Sequence, residues 1–167
     1  MTAPTFVIRN ARLEDFEEIY AIFQAVLRSG TTYSYTAEEM TPERSLAYWI
    51  SAPGTHGYVV DVGGKVAAMA ALRPNRTGRG GHVANASFIV DVPHRGQGIG
   101  RALGQHVLDE ARRHGYRAMQ FNFVVASNRT AVKLWESLGM EIVGTLPKGF
   151  QHAAEGFTDA YIMHTFL

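Results

Sequence analysis

The stretch Phe88-Ile89-Val90-Asp91-Val92-Pro93-His94-Arg95-Gly96-Gln97-Gly98-Ile99-Gly100-Arg101-Ala102-Leu103 holds the densest chemical information in the chain. Its first half is near-continuously apolar and stops at Pro93, the pattern of a buried strand. Three glycines at alternate positions, Gly96, Gly98 and Gly100, then lead into a helix start. Glycine lets backbone N–H groups come close to a ligand, and a helix N-terminus adds partial positive charge. Together they make a cradle for phosphate oxygens. Arg95 and Arg101 stand at its rim, and Asp91 is placed to brace the turn. Two familiar phosphate motifs do not fit. A P-loop needs Lys and then Ser or Thr after its last glycine, but Ile99-Gly100-Arg101 follows Gly98. The dinucleotide fingerprint needs a third glycine where Arg101 stands, after the first strand of a βαβ unit.

Outward from this segment, apolar periodicity lays out the elements. His82 to Val92 reads as a long strand, and Gly98 to His114 as a helix with Ile99, Leu103 and Val107 on one stripe. Upstream, Phe6-Val7-Ile8 is a short strand, followed by a helix with Phe16, Ile19, Tyr20, Phe23 and Leu27 on one face and a stop at Ser29-Gly30. Thr31 to Thr36 is a polar, aromatic loop. Thr41-Pro42 opens a second helix through Trp49, with an N-cap residue before a proline at the first helical position. Gly57 to Asp61 and Lys65 to Leu72 form a hairpin through Val62-Gly63-Gly64, and Asn75 to Gly81 is a basic turn. Downstream come a strand at Ala118 to Val125 and a helix from about Ser127, with Ala131, Leu134, Trp135 and Leu138 on one stripe. Strands at Met140 to Thr145 and Phe157 to Phe166 finish the chain. The order β-α-α-β-β-β-α-β-α-β-β predicts an α/β fold with a mixed sheet and helices on its faces.

Composition narrows the function. The 167 residues fit one domain spanning 1–167, since single cores form at roughly 100–200 residues. There is no cysteine, so a disulfide framework, a thiolate metal site and a cysteine nucleophile are all excluded. Sixteen basic against fifteen acidic residues give no footprint for a nucleic-acid backbone. The run Val66 to Leu72 is too short to span a bilayer, and Met1-Thr2-Ala3-Pro4-Thr5 lacks the start of a secretory peptide. A cytoplasmic protein with no nucleic-acid or membrane partner is the expectation. The seven histidines are scattered, and no pair of them has metal-ligand spacing on a helix, so no metal is expected.

Arg95-x-x-Gly98-x-Gly100 directly after Val90-Asp91-Val92-Pro93 resembles the hallmark of the GNAT superfamily of acetyl-CoA-dependent N-acetyltransferases. Two further stretches carry the resemblance. Ile8-Arg9-x-Ala11-x-x-x-Asp15-x-x-x-Ile19 is similar to the family's first strand and helix. Asn128-x-x-Ala131-x-x-Leu134-Trp135-x-x-x-Gly139-Met140 is similar to its later motif. The resemblance implies a largely antiparallel sheet of about seven strands with about four helices, splayed between strands 4 and 5. It also implies that backbone groups of Phe88, Ile89 and Val90 pair with the pantetheine arm of acetyl-CoA. Amides from Gly96 through Arg101, Gln97 and Ile99 included, then hold the pyrophosphate, Asn128 sits beside the arm, and the Val90 N–H faces the thioester oxygen. Asn128 also suits a helix N-cap. A homodimer through the C-terminal strands is implied in the same way.

The chain departs from the family where acid and base are concerned. Trp135 stands at the position of the usual acid, a tyrosine, and reads instead as a core residue. Thr130 and Ser127 are the weak stand-ins, and coenzyme A leaves as a thiolate, the free thiol having a pKa of about 8.5. No Asp or Glu lies between His82 and Val90, where a base is expected. Asn85 in that strand and Asn122 in the next are the candidate catalytic and acceptor-binding groups beside Val90. Either they hold an acceptor's polar groups, or they are tied to each other or to backbone. Tyr33 and Tyr35 lie where the family builds its acceptor pocket. His82, His94 and His152 are histidines within reach of a cleft. The expected activity is acetyl transfer from acetyl-CoA to a small-molecule or amino-acid-like amine. The alternatives are a protein or peptide acceptor, and a non-catalytic acyl-CoA-binding domain.

Overall fold

A computed structural model describes residues 5–167, so the N-terminal stretch read for a targeting signal lies, apart from Thr5, outside the described residues. The elements are β1 (Val7–Asn10), α1 (Phe16–Ser29), α2 (Pro42–Leu46), β2 (His56–Val62), β3 (Lys65–Pro74), β4 (Val83–Val90), α3 (Ile99–Arg113), β5 (Ala118–Val125), α4 (Arg129–Ser137), β6 (Glu141–His152) and β7 (Gly156–Phe166). They form one seven-stranded sheet in the order β1-β2-β3-β4-β5-β7-β6. Every neighbouring pair is antiparallel except β4 and β5. The expected order and sheet type are those observed.

The alternation of strand side chains divides the core between two faces. Ile89 faces α1 and α2 with Met69 and Val59, around Ile19, Phe23, Leu27 and Trp49. Phe88 and Val90 face the other layer, where Ile99, Leu103 and Val107 of α3 and Trp135 of α4 pack. Burying each large apolar side chain contributes about 1.5–3 kcal/mol, which holds a five-residue α2 that would not persist alone. α3 and α4 approach closely at Gly104. A Cβ there would meet Leu138 at 2.8 Å and Trp135 at 2.9 Å, so any larger residue would push these side chains aside. The first motif acts as a clasp. Arg9 donates to both Asp15 carboxylate oxygens at 2.8 Å and to Asp61 at 3.2 Å, and the Arg12 N–H donates to Asp15 at 2.7 Å. The Arg9 hydrogen bond, opposed by burial, holds the Asp15 carboxyl below its usual range.

Several boundaries differ from the sequence expectation; β3 runs on from Leu72 to Pro74, and three further differences shape the site. The second helix stops at Leu46 and continues as a π-turn, Ala47–Ser51, around the fully buried Trp49. The fourth strand ends at Val90, because Pro93 starts a 3-10 turn at Val92–His94. β6 runs on past Thr145 to His152, with register shifts between Ile142 and Gly144 and between Leu146 and Phe150. These irregularities bend the hairpin over the end of α1, where the Ala153 N–H donates to the Gly30 carbonyl at 2.9 Å.

Candidate active site

The cradle segment folds as its glycines require. Gly96 and Gly98 have φ of +74° and +78°, a region that side-chain-bearing residues rarely adopt. Gly98 is the N-cap of α3, with no side chain capping it and no acidic residue in the first turn. Among the described residues, no amide from Gly96 through Arg101 has a hydrogen-bond partner; the first bond of the helix is Ala102 N–H to Gly98 carbonyl, 3.1 Å. A run of unsatisfied donors at the positive end of a helix is a site for an anion. The neighbouring side chains fix the turn. Asp91 accepts from the Val92 N–H at 2.9 Å, Gln97 donates to the Pro93 carbonyl at 3.1 Å, and Arg95 Nε donates to the Val90 carbonyl at 3.1 Å. The Arg101 guanidinium is drawn to Ser137 Oγ at 2.6 Å. Ile99 contributes its amide only, since its side chain is buried beneath α3.

β4 and β5 pair only at Val83 with Ala118 and Ala84 with Met119, and diverge beyond. The gap leaves part of the β4 edge without a strand partner. The Asp91 N–H to Ala67 carbonyl bond sets the phase of the ladder with β3. By antiparallel alternation Ile89 turns both backbone groups to β3, while Phe88 and Val90 turn theirs to the gap. A cleft of about 730 Å³ runs along this edge, lined by Val90, Arg95, Gly96, Asn128 and Trp135. Asn128 caps α4, its Oδ1 accepting from the Ala131 N–H at 3.3 Å, and its Nδ2 makes no hydrogen bond among the described residues. Ser127 also lines the cleft, and its hydroxyl is buried without a partner.

A second cavity, about 290 Å³, meets the cleft at Tyr33, Phe88, Asn128 and Trp135. Its walls include Tyr35, Tyr48, Arg73, Asn85, Ser87 and Asn122. The Tyr33 hydroxyl donates to the Phe88 carbonyl at 3.1 Å, and its ring lies edge-on to Phe23. Burial, with Tyr48 nearby, pushes the Tyr33 phenol well above its ordinary pKa, so it stays protonated at neutral pH. Asn85 and Asn122 do not bond to each other. Asn122 accepts from Gln120 Nε2 at 2.9 Å and donates to Asn75 Oδ1 at 2.7 Å, within a one-residue register shift of β5 against β7. The Asn85 side chain has no hydrogen bond among the described residues. No Asp, Glu or His lines this cavity.

Sequence reasoning and structure place the histidines differently. His94 and His152 line the main cleft, whereas His82 belongs to a separate surface cavity with Arg117 and His164. His152 Nδ1 accepts from the Ala154 and Glu155 N–H groups, 3.1 Å each, so it is occupied in closing the hairpin. Trp135 packs against Phe88 and Phe121, with ring centroids 4.6 and 4.8 Å away, as a core residue. Tyr48, Arg73 and Ser87 were missed. Ser87 lies two positions from Asn85 on the same face of β4, a signal that strand alternation carries. Among the described residues no group of three metal-ligating side chains is assembled, and no helix is long and apolar enough to cross a membrane.

Residues 16–140 match the model of the acetyltransferase (GNAT) family. The chain is similar to the N-acetyltransferase aca1 of Schizosaccharomyces pombe, 39% identical over 92 residues, 54% of this chain and 44% of that protein. It is similar also to the [ribosomal protein bS18]-alanine N-acetyltransferase of Escherichia coli, 38% identical over 77 residues, 46% of this chain and 51% of that one. The chain spans about half the length of these curated relatives. Among solved structures, a GCN5-related N-acetyltransferase from Kribbella flavida superposes with a TM-score of 0.92 at 41% identity, covering 97% of this chain and 98% of that one. With the family model matching well over half of its length, on a sheet that opens between β4 and β5, this chain belongs to the acetyltransferase (GNAT) family.

Proposed function

We propose that the chain moves an acetyl group from acetyl-CoA to the amine of a small, amino-acid-like molecule by direct attack. One observation carries this reading: the unpartnered amides from Gly96 through Arg101 open one cleft, which meets a second, small cavity at the gap between β4 and β5. The residues fit the cosubstrate. The Gly96–Arg101 amides would hold its pyrophosphate, with the Arg95 guanidinium nearby. The backbone groups of Phe88 and Val90 and the Asn128 amide would hold its pantetheine arm, while Ile89 serves by anchoring β4 to β3. In the acceptor cavity Tyr33 and Tyr35 supply apolar wall, and Asn85 and Asn122 supply amides for the acceptor's polar groups.

The Val90 N–H would donate to the thioester oxygen as negative charge gathers there. A fixed donor of that kind is worth about 10²–10³ in rate. The acceptor nitrogen forms its bond to the acetyl carbon, the carbon–sulfur bond breaks, and the nitrogen's proton passes to water. The departing sulfur leaves as a thiolate, the free thiol having a pKa of about 8.5. Without an acidic or histidine side chain in the acceptor cavity, the amine must arrive already neutral. A cavity of about 290 Å³ has room for a small amine.

The test is acetyl transfer and thiol release with acetyl-CoA, run against amino acids, simple amines and N-terminal peptides. Acetylation of free amino acids or small amines is expected. Turnover only of peptides would replace the small acceptor by a protein one. Tight acetyl-CoA binding with no transfer to any amine would leave a binding domain.

A further inference from the structure

Arg73 lies near the Pro74 end of β3 and reaches into the acceptor cavity, opposite Asn85 in the ladder. The residue is half-buried, and the hydrogen bonds of its guanidinium go to neutral groups. One nitrogen donates to the Tyr48 carbonyl at 2.7 Å and another to Ser87 Oγ at 3.2 Å, and the guanidinium carbon sits 4.3 Å over the Tyr48 ring. Tyr48 and Ser87 share a hydroxyl–hydroxyl hydrogen bond of 2.6 Å, which fixes both. No carboxylate of the described residues forms an ion pair with Arg73. A guanidinium taken part-way out of water without a counter-ion is costly, and most of its five donors remain unspent.

We propose that Arg73 is the counter-ion for a carboxylate on the acceptor, so that the preferred substrates are amines carrying a carboxylate a few atoms from the nitrogen. This rests on the transferase reading and narrows its substrate class. The spacing suits it. The guanidinium stands beside Ser87, and three residues of extended chain, roughly 10 Å, separate Ser87 from the Val90 N–H. Along a bent path that distance takes up the thioester carbonyl held by Val90 and an amine whose carboxylate lies a few atoms from its nitrogen, with a hydrogen-bond length at each end. The planar fork of arginine matches a carboxylate in two parallel hydrogen bonds, and stacking on Tyr48 sets its plane. Asn85 lies across the ladder from Arg73, placed to donate to the same carboxylate. Tyr48 and Ser87 are then positioning residues, acting through Arg73.

The experiment compares an amino acid with its carboxamide and its decarboxylated amine in the wild-type protein, Arg73→Gln and Arg73→Lys. In the wild type, kcat/KM for the acid should exceed that for either analogue by about 10- to 100-fold, the worth of hydrogen bonds to a charged group. Arg73→Gln should remove that preference by raising KM for the acid, leaving the decarboxylated amine and acetyl-CoA affinity within a fewfold. Arg73→Lys should keep part of it. Equal turnover of acid, amide and amine by the wild type overturns the proposal without any variant, as does an equal loss on all three acceptors in a folded Arg73→Gln protein. Transfer to no amine, with acetyl-CoA bound, fails the transferase reading and this inference with it, a different outcome from unselective transfer.

Discussion

The cradle at the start of α3 and the cavity proposed for the acceptor, across the gap, are made of different material. The cradle is backbone: amides from Gly96 through Arg101, set by positive φ at two glycines and contiguous in sequence. The acceptor cavity is side chains, drawn from the loop after α1, the π-turn at Tyr48, β3, β4 and β5. Backbone donors cannot be exchanged by substitution, only moved. Side chains can be changed one at a time without disturbing the sheet. A fold that keeps its acyl donor and varies its acceptor would divide the labour this way.

The sharpest way to break this comparison is Gly98→Val. No atom lies within 4 Å of a Cβ placed there, so the fold should survive, but a β-branched residue resists the φ of +78°. Acetyl-CoA affinity, by calorimetry, should fall about 100-fold as the amides shift; an unchanged affinity would remove the cradle. On the other side, Asn122→Ala deletes a bond to Gln120 and one to Asn75. It should lower kcat/KM for the acceptor about tenfold, with acetyl-CoA affinity within twofold. A loss shared equally between donor and acceptor would mean that the two regions are one structural unit.

The pH profile tests the acceptor side alone. The Tyr33 phenol, raised by burial, stays protonated, and no carboxylate or imidazole lines the cavity. Activity should therefore climb tenfold per pH unit up to the acceptor amine's own pKa, with Tyr33→Phe keeping the same shape. An inflection near pH 6–7 that persists across acceptors of different pKa would reveal a protein base. The smallest effect on either region is expected from Asp15→Asn, since Asp15 lines neither cavity. The Asp15 carboxyl, lowered by its hydrogen bonds with Arg9, contributes stability above its usual pKa of about 3.9, and that is lost as pH falls through the lower folded value. The variant should lose about 1–3 kcal/mol at pH 7 and converge on the wild type in acid, by denaturant titration, with kinetics unchanged.

How legible each region was follows from the same difference. Gly96 and Gly98 announce the cradle because a positive φ selects glycine at both positions. The stripe Ile99, Leu103 and Val107 placed α3 correctly, since all three are buried. Asn128 could be read both as a cap and as a cleft residue, and it occupies both places. Asn85 and Asn122 were recognisable as polar residues in buried strands, yet their partners were not, because Asn75 lies 47 residues from Asn122 along the chain. Arg73 gave no signal at all: an arginine at the end of an apolar strand looks like a strand reaching solvent.

By itself the sequence determined the order of elements, the mixed sheet, the glycine turn into α3 and the indole on the apolar stripe of α4. Those are written in periodicity, φ requirements and residue identity, which act over a few neighbours. Only the tertiary structure decided that β4 and β5 part after Ala84, so that Phe88 and Val90 rather than Ile89 face the gap. It alone decided that Arg73, Tyr48 and Ser87 meet in one cavity without a carboxylate. Their juxtaposition comes from strand register and from a π-turn folded over β3, and neither leaves a mark on the residues within a single window of sequence.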